Sequence, residues 1–132
     1  MGKPLAPPYT SVNMKILIVE DNEPMRRAIR SFIADLADEV HERRTSAEAL
    51  AAYALHQPDW VLLDWHIGKR GGLEAARQIT AVWREAKIVI VAGDDDPDWR
   101  EAARRAGVCE YIVVENLIEV RRILTDHRHT AQ

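Results

Sequence analysis

Four continuous apolar runs punctuate the chain: Ile16-Leu17-Ile18-Val19, Trp60-Val61-Leu62-Leu63, Ile88-Val89-Ile90-Val91 and Tyr111-Ile112-Val113-Val114. Short runs without polar alternation read as strands buried on both faces, the habit of a parallel sheet covered by helices. Residues 39–44 read as a further, weaker strand, poor in apolar side chains, which suits a sheet edge.

Amphipathic stretches separate these runs. Met25, Ile29, Phe32, Ile33 and Leu36 share one helical face, with Asn22 as cap and Pro24 in the first turn. Ala47, Leu50, Ala51 and Ala54 mark a second helix, capped by Thr45 or Ser46 and ended near Pro58. After Gly68, Gly71 and Gly72, a third carries Leu73, Ala76, Ile79 or Thr80, and Trp83. Asp96 and Pro97 open a fourth that presents Trp99, Ala102, Ala103 and Ala106, and Gly107 closes it as a left-handed cap. Leu117, Val120, Arg121 and Leu124 mark the last.

Five strands alternating with five helices predict an α/β fold, a doubly wound five-stranded parallel sheet of order 2-1-3-4-5. Strands one and three are then neighbours. Glu20, Asp21 and Asp64 follow their apolar runs directly, so the three acids meet at the sheet's switch point. Crowded like charges repel unless a proton or a cation neutralises them. The pattern therefore predicts a divalent metal and a reactive carboxylate.

Composition narrows the function classes. The 132 residues suffice for one domain, expected over 14–126, after a flexible arm at 1–13 rich in proline and before a tail at 127–132. His127 and His129, near the C-terminus, read as solvated rather than as ligands. A net charge of -3 gives no electrostatic case for nucleic acid or an anionic membrane surface. No apolar stretch has membrane-spanning length, and the start lacks a charged-then-apolar leader pattern. A lone Cys109 forms no internal disulfide, which suits the cytoplasm, and it is expected to pack as a small buried hydrophobe.

An ordered set of motifs with matching spacings resembles the receiver domain of two-component response regulators, from about Lys15 to Leu124. Val19-Glu20-Asp21-Asn22 resembles the family's acidic pair, and Pro58 through Asp64 its phosphoacceptor strand. Gly71-Gly72-Leu73-Glu74 is similar to the start of its third helix, and Ala106-Gly107 with Tyr111 through Val114 to its last helix-to-strand passage. The resemblance implies a flavodoxin-like fold and definite roles. Asp64 would accept a phosphoryl group from a sensor histidine kinase or a histidine phosphotransferase. Asp21, Asp64 and the backbone carbonyl of His66 would ligate Mg²⁺, with Glu20 acting through a coordinated water. Magnesium favours such oxygen ligands and offsets charge on a transferring phosphoryl group.

Two parts of that machinery are missing. The family's Ser or Thr at the end of strand four falls on Ala92, and its Lys at the end of strand five falls on Val114, followed by Glu115. No Ser or Thr occurs between Thr80 and Thr125, and no Lys follows Lys87, so no shift of alignment restores either group. The loop proline after the phosphoacceptor is Gly68, and the usual acid before the glycine is Gly71. Asp94 and Asp95 read as a solvated acidic turn, and Lys69 and Arg70 as exposed loop cations.

The leading expectation is a stand-alone, atypical receiver that docks a downstream protein target, with weakened switching. Trp99, Arg100, Arg104, Tyr111 and Arg122 are its candidate interface, although Trp99 and Tyr111 fit the core equally well. The alternative is a phosphorylation-independent pseudo-receiver. An enzyme acting on external substrates is not expected, because Glu20-Asp21-Asn22 lacks the Asp-x-Asp of aspartyl phosphatases, and a nucleotide-binding module is not expected, because neither a G-x-G-x-x-G nor a phosphate-loop lysine motif occurs. Any catalysis is confined to the domain's own aspartyl phosphorylation and dephosphorylation. A homodimer using the fold as a scaffold is the third reading, and the sequence leaves it open.

Overall fold

The computed structural model describes residues 14–69 and 71–130, with side chains to 126. The expected N-terminal arm and Arg70 lie outside the described residues. Five parallel strands, β1 (Lys15–Val19), β2 (Glu39–Arg43), β3 (Trp60–Asp64), β4 (Ile88–Ala92) and β5 (Glu110–Val113), form one sheet of order β2-β1-β3-β4-β5. Helices α1 (Glu23–Ile33), α2 (Ser46–His56), α3 (Gly71–Val82), α4 (Pro97–Arg105) and α5 (Glu119–Thr130) connect and follow them. The sequence-predicted topology is the observed one, and the poorly apolar β2 is an edge strand.

Sheet strands with apolar residues on both faces divide the core in two. Ile16, Ile18, Leu62, Val89 and Val91 face α1 and α5, where Ile29, Ile33, Val120 and Leu124 meet them. Leu17, Val19, Val61, Leu63 and Ile90 face α2, α3 and α4. Full burial of each such side chain stabilises the fold by about 1.5–3 kcal/mol.

Local chemistry sets the helix ends. The Asn22 side chain accepts from the Met25 amide at 2.8 Å, with Pro24 in the first turn. Thr45 and Glu48 complete a reciprocal capping box on α2. Asp96 accepts from Asp98 and Trp99, with Pro97 leading α4. Gly107 adopts φ +89°, so it closes α4 in the left-handed region that favours glycine.

Several sequence-based details are corrected. The core face of α2 carries Ala49, Ala52 and Tyr53, whereas Ala47, Ala51 and Ala54 are exposed. Alanines stand on every side of this helix, so their spacing does not fix its rotation; the large Tyr53 ring does, packing 4.6 Å from Trp83. On α5, Ile123 is buried, while Arg121 reaches out to pair with Asp35 at 2.6 Å and to donate to the Phe32 carbonyl. Cys109 is exposed rather than buried, because it stands at the open edge between Gly107 and β5. Helix α5 runs to Thr130.

Candidate phosphoacceptor and metal site

Register builds the site. Strands β1 and β3 pair Val19 with Leu63, so Glu20 and Asp64 occupy the next step, side by side at the C-terminal edge. Asp21 follows before the turn into α1. One carboxylate oxygen from each of Glu20, Asp21 and Asp64 lies within 4.8 Å of the others. The predicted convergence of these three acids is present.

Glu20 is 2% exposed, and its amide donates to the Arg43 carbonyl of β2 at 3.0 Å. Its carboxylate accepts from the Asn22 amide at 3.1 Å. Burial, and then the charge of Asp64, push its pKa up to about 8; the Asn22 contact acts in the opposite direction. Asp64 is half-buried and accepts from the His66 amide at 3.1 Å, which holds the loop following β3 against it. The His66 carbonyl belongs to that same loop.

A cleft of about 250 Å³ opens over these groups, lined by Glu20, Asn22, Met25, Asp64, His66, Gly93 and Val114. Val114 thus faces the acids as an aliphatic side chain, and no Lys or Arg lines the cleft among the described residues. Ala92 ends β4 fully buried, without a hydroxyl. Arg26 donates to the Glu20 backbone carbonyl at 2.9 Å and pairs with Glu42 at 2.9 Å. Lys69 is exposed.

Asp95 pairs with Arg100 at 2.6 Å and Asp96 caps α4, so neither contributes to the cleft. Gly72 lets α3 start against β3: an added Cβ would collide with the Asp64 carbonyl and crowd the Trp65 Cα. Of the candidate interface residues, Arg100, Arg104 and Arg122 are exposed or partly so and pair with acids of their own segment. Trp99 and Tyr111 pack inward instead. Trp99 stacks on Trp65, and Tyr111 meets Trp65 edge-on.

The site fits a hard divalent cation: all three donors are carboxylate oxygens gathered within 4.8 Å. Among the described residues no Lys or Arg lines the cleft shared by Glu20 and Asp64, while Asp21 borders a neighbouring cleft with Arg44. Sequence reasoning missed Asn22, Met25 and Gly93 as lining residues. Asn22 and Met25 carried ordinary helix-start signals, and Gly93 carried none.

A parallel sheet of this order, with three acids gathered at the ends of its first and third strands, defines a receiver-type α/β domain. Residues 16–118 match the family model of the response regulator receiver domain, and the chain belongs to that family. It is 32% identical over 114 residues to the transcriptional regulatory protein PdtaR of Mycobacterium tuberculosis, covering 86% of this chain and 55% of that protein. Response regulator MprA of Mycobacterium avium is 28% identical over 99 residues, 75% of this chain and 43% of the relative. The chain therefore spans about half the length of the curated relatives it matches.

Among solved structures, the N-terminal domain of an uncharacterized protein from Wolinella succinogenes superposes with a TM-score of 0.78 at 26% identity, covering 91% of this chain and 97% of that one. A CheY-like response regulator receiver domain protein from Methanospirillum hungatei superposes at 0.77 with 20% identity, over 90% and 98% of the two chains, a likeness of fold. Receiver domains are signalling modules of two-component systems. No helix among the described residues is long and apolar enough to cross a membrane.

Proposed function

We propose that this receiver accepts a phosphoryl group on Asp64 and signals through protein contacts, with a switch weakened by its own sequence. The observation that carries this reading is the convergence of Glu20, Asp21 and Asp64 within 4.8 Å at one strand edge. In the reaction, an Asp64 carboxylate oxygen attacks the phosphorus of a phosphohistidine. The donor's P–N bond breaks, its electron pair returns to the imidazole nitrogen, and Asp64 becomes an acyl phosphate.

Asp21, Asp64 and the His66 carbonyl would hold Mg²⁺, with Glu20 contacting it through water; the ion supplies charge neutralisation for the phosphoryl oxygens. The His66 amide orients the Asp64 carboxylate. Asn22 steadies the charged form of Glu20. Val114 and Ala92 leave the product phosphoryl without an ammonium or a hydroxyl partner from β4 or β5, which removes two electrostatic holds on it. The domain is not an enzyme for external substrates; its chemistry ends on its own aspartate.

Partners follow from the chemistry: a histidine kinase or phosphotransferase as donor, and a protein target read through α4, β5 and α5. The exposed arginines Arg104 and Arg122 suit that surface. This reading belongs to the cytoplasm, where phosphohistidine donors are made.

The aliphatic Val114 in the cleft favours a second reading, a pseudo-receiver that docks its target without phosphate. One experiment separates the two. The protein is incubated with Mg²⁺ and a small phosphodonor, and its intact mass is followed. A single phosphoryl adduct that vanishes in Asp64→Asn supports phosphoacceptor chemistry. Absence of any adduct in protein that binds Mg²⁺ supports docking alone.

A further inference from the structure

Trp99 stands in the first turn of α4, yet its partners are the two residues that follow Asp64. It stacks on Trp65 with ring centroids 4.8 Å apart and planes 16° from parallel. It meets His66 edge-on at 5.2 Å and 75°. Both geometries are favoured by the aromatic quadrupole. Trp65 is 2% exposed, and its amide donates to the Val91 carbonyl of β4 at 2.9 Å.

Tyr111 of β5 closes the cluster. Its ring lies against Trp65 at 6.2 Å and 72°, and its hydroxyl donates to the Asp94 carbonyl at 2.6 Å. Arg100, next to Trp99, sits 4.7 Å over the Tyr111 ring and also pairs with Asp95. The loop after β3, the loop after β4 and the start of α4 are therefore joined through ring contacts. Ala92 and Val114 offer no polar side chain that could make this connection.

We propose that Trp99 is a positioning residue that couples the acidic pocket to α4 through its stack on Trp65 and His66. The inference rests on the reading of Glu20, Asp21 and Asp64 as a cation site. Drawing the Asp64 carboxylate and the His66 carbonyl toward one cation turns the 64–66 backbone. Trp65 cannot turn without moving the face on which Trp99 lies. The rings are rigid and close-packed, so the displacement passes to α4 instead of being absorbed.

Amide hydrogen exchange over residues 94–105 of the full chain, with and without saturating Mg²⁺, tests the coupling, while calorimetry reports Mg²⁺ binding on the same samples. Mg²⁺ is expected to slow exchange at the start of α4 at least several-fold in the wild type and in Trp99→Phe, which keeps a ring. Trp99→Leu is expected to bind Mg²⁺ within about two-fold of wild type and to lose the α4 response. Retention of that response in Trp99→Leu, or Mg²⁺ binding by the wild type without any change at α4, overturns the coupling and leaves the cation site standing. Failure of the wild type to bind Mg²⁺ removes the cation site and the coupling together. Should Trp99→Leu not fold, the far-ultraviolet exciton couplet of the Trp65–Trp99 pair decides on unmutated protein. A change in the couplet on Mg²⁺ binding supports the coupling, and a couplet unmoved at saturation overturns it.

Discussion

Glu20 and Asp64 are neighbours across the β1–β3 ladder, one register step beyond Val19 and Leu63, and they share a cleft that no Lys or Arg lines among the described residues. Because burial and then Asp64 raise the Glu20 pKa from 4.5 to about 8, the folded, metal-free protein holds a proton there that the unfolded chain releases. Stability from this group is fully present below pH 4.5 and is lost as pH rises through about 8. Glu20→Gln, neutral throughout, is expected to flatten that loss. Thermal melts of both proteins across this range, in chelator, measure it.

Mg²⁺ binding requires the same proton to leave. Affinity is therefore expected to rise as pH approaches about 8 and to level off above it, with proton release that shrinks through the same point. Calorimetric titrations in buffers of different ionisation enthalpy count the protons released.

On the edge strand β2, His41 stacks on His56 of α2 with ring centroids 3.5 Å apart. Desolvation, then His41 and Arg43, hold the His56 pKa below its ordinary 6.5, while Glu39 pulls it upward. The folded state thus resists a proton that the unfolded chain accepts, and stability from this group is lost as pH falls below 6.5. The sign is opposite to that of Glu20. His56→Phe keeps a ring on His41 without titrating, and is expected to lose less stability than wild type on acidification, as followed by denaturant melts.

Gly72 is expected to tolerate no side chain, because a Cβ there meets the Asp64 carbonyl and the Trp65 backbone. Gly72→Ala should cost about 1–3 kcal/mol in urea denaturation and weaken Mg²⁺ binding. Gly93→Ala is the matched control for the stability arm, since its Cβ meets nothing within 4 Å.

Val114→Lys puts an ammonium into the acidic cleft. Faster accumulation of phosphoryl adduct from a small donor is expected, read by intact mass against time. The same change should lower the Glu20 pKa and reduce the loss of metal-free stability at high pH.

The sheet order and the acid cluster were legible because each rests on local pattern: apolar runs mark buried strands, and the residue after each run marks the strand edge. Helix α2 was legible in extent but not in rotation, since alanine satisfies the core and the surface alike. Cys109 was misjudged from residue type alone, because exposure at the edge of β5 depends on where Gly107 turns the chain. The Trp65–Trp99 stack had no signature at all. It joins a strand end to a helix start far apart in sequence, and only the folded arrangement brings the rings together.

Calorimetric titration of the metal-free protein with Mg²⁺, beside Asp21→Ala, bears most directly on the shared carboxylate centre. A saturable one-to-one isotherm in the millimolar range or tighter, lost in Asp21→Ala, is the predicted result. No heat of binding in the wild type, or an isotherm indifferent to the loss of Asp21, would contradict it.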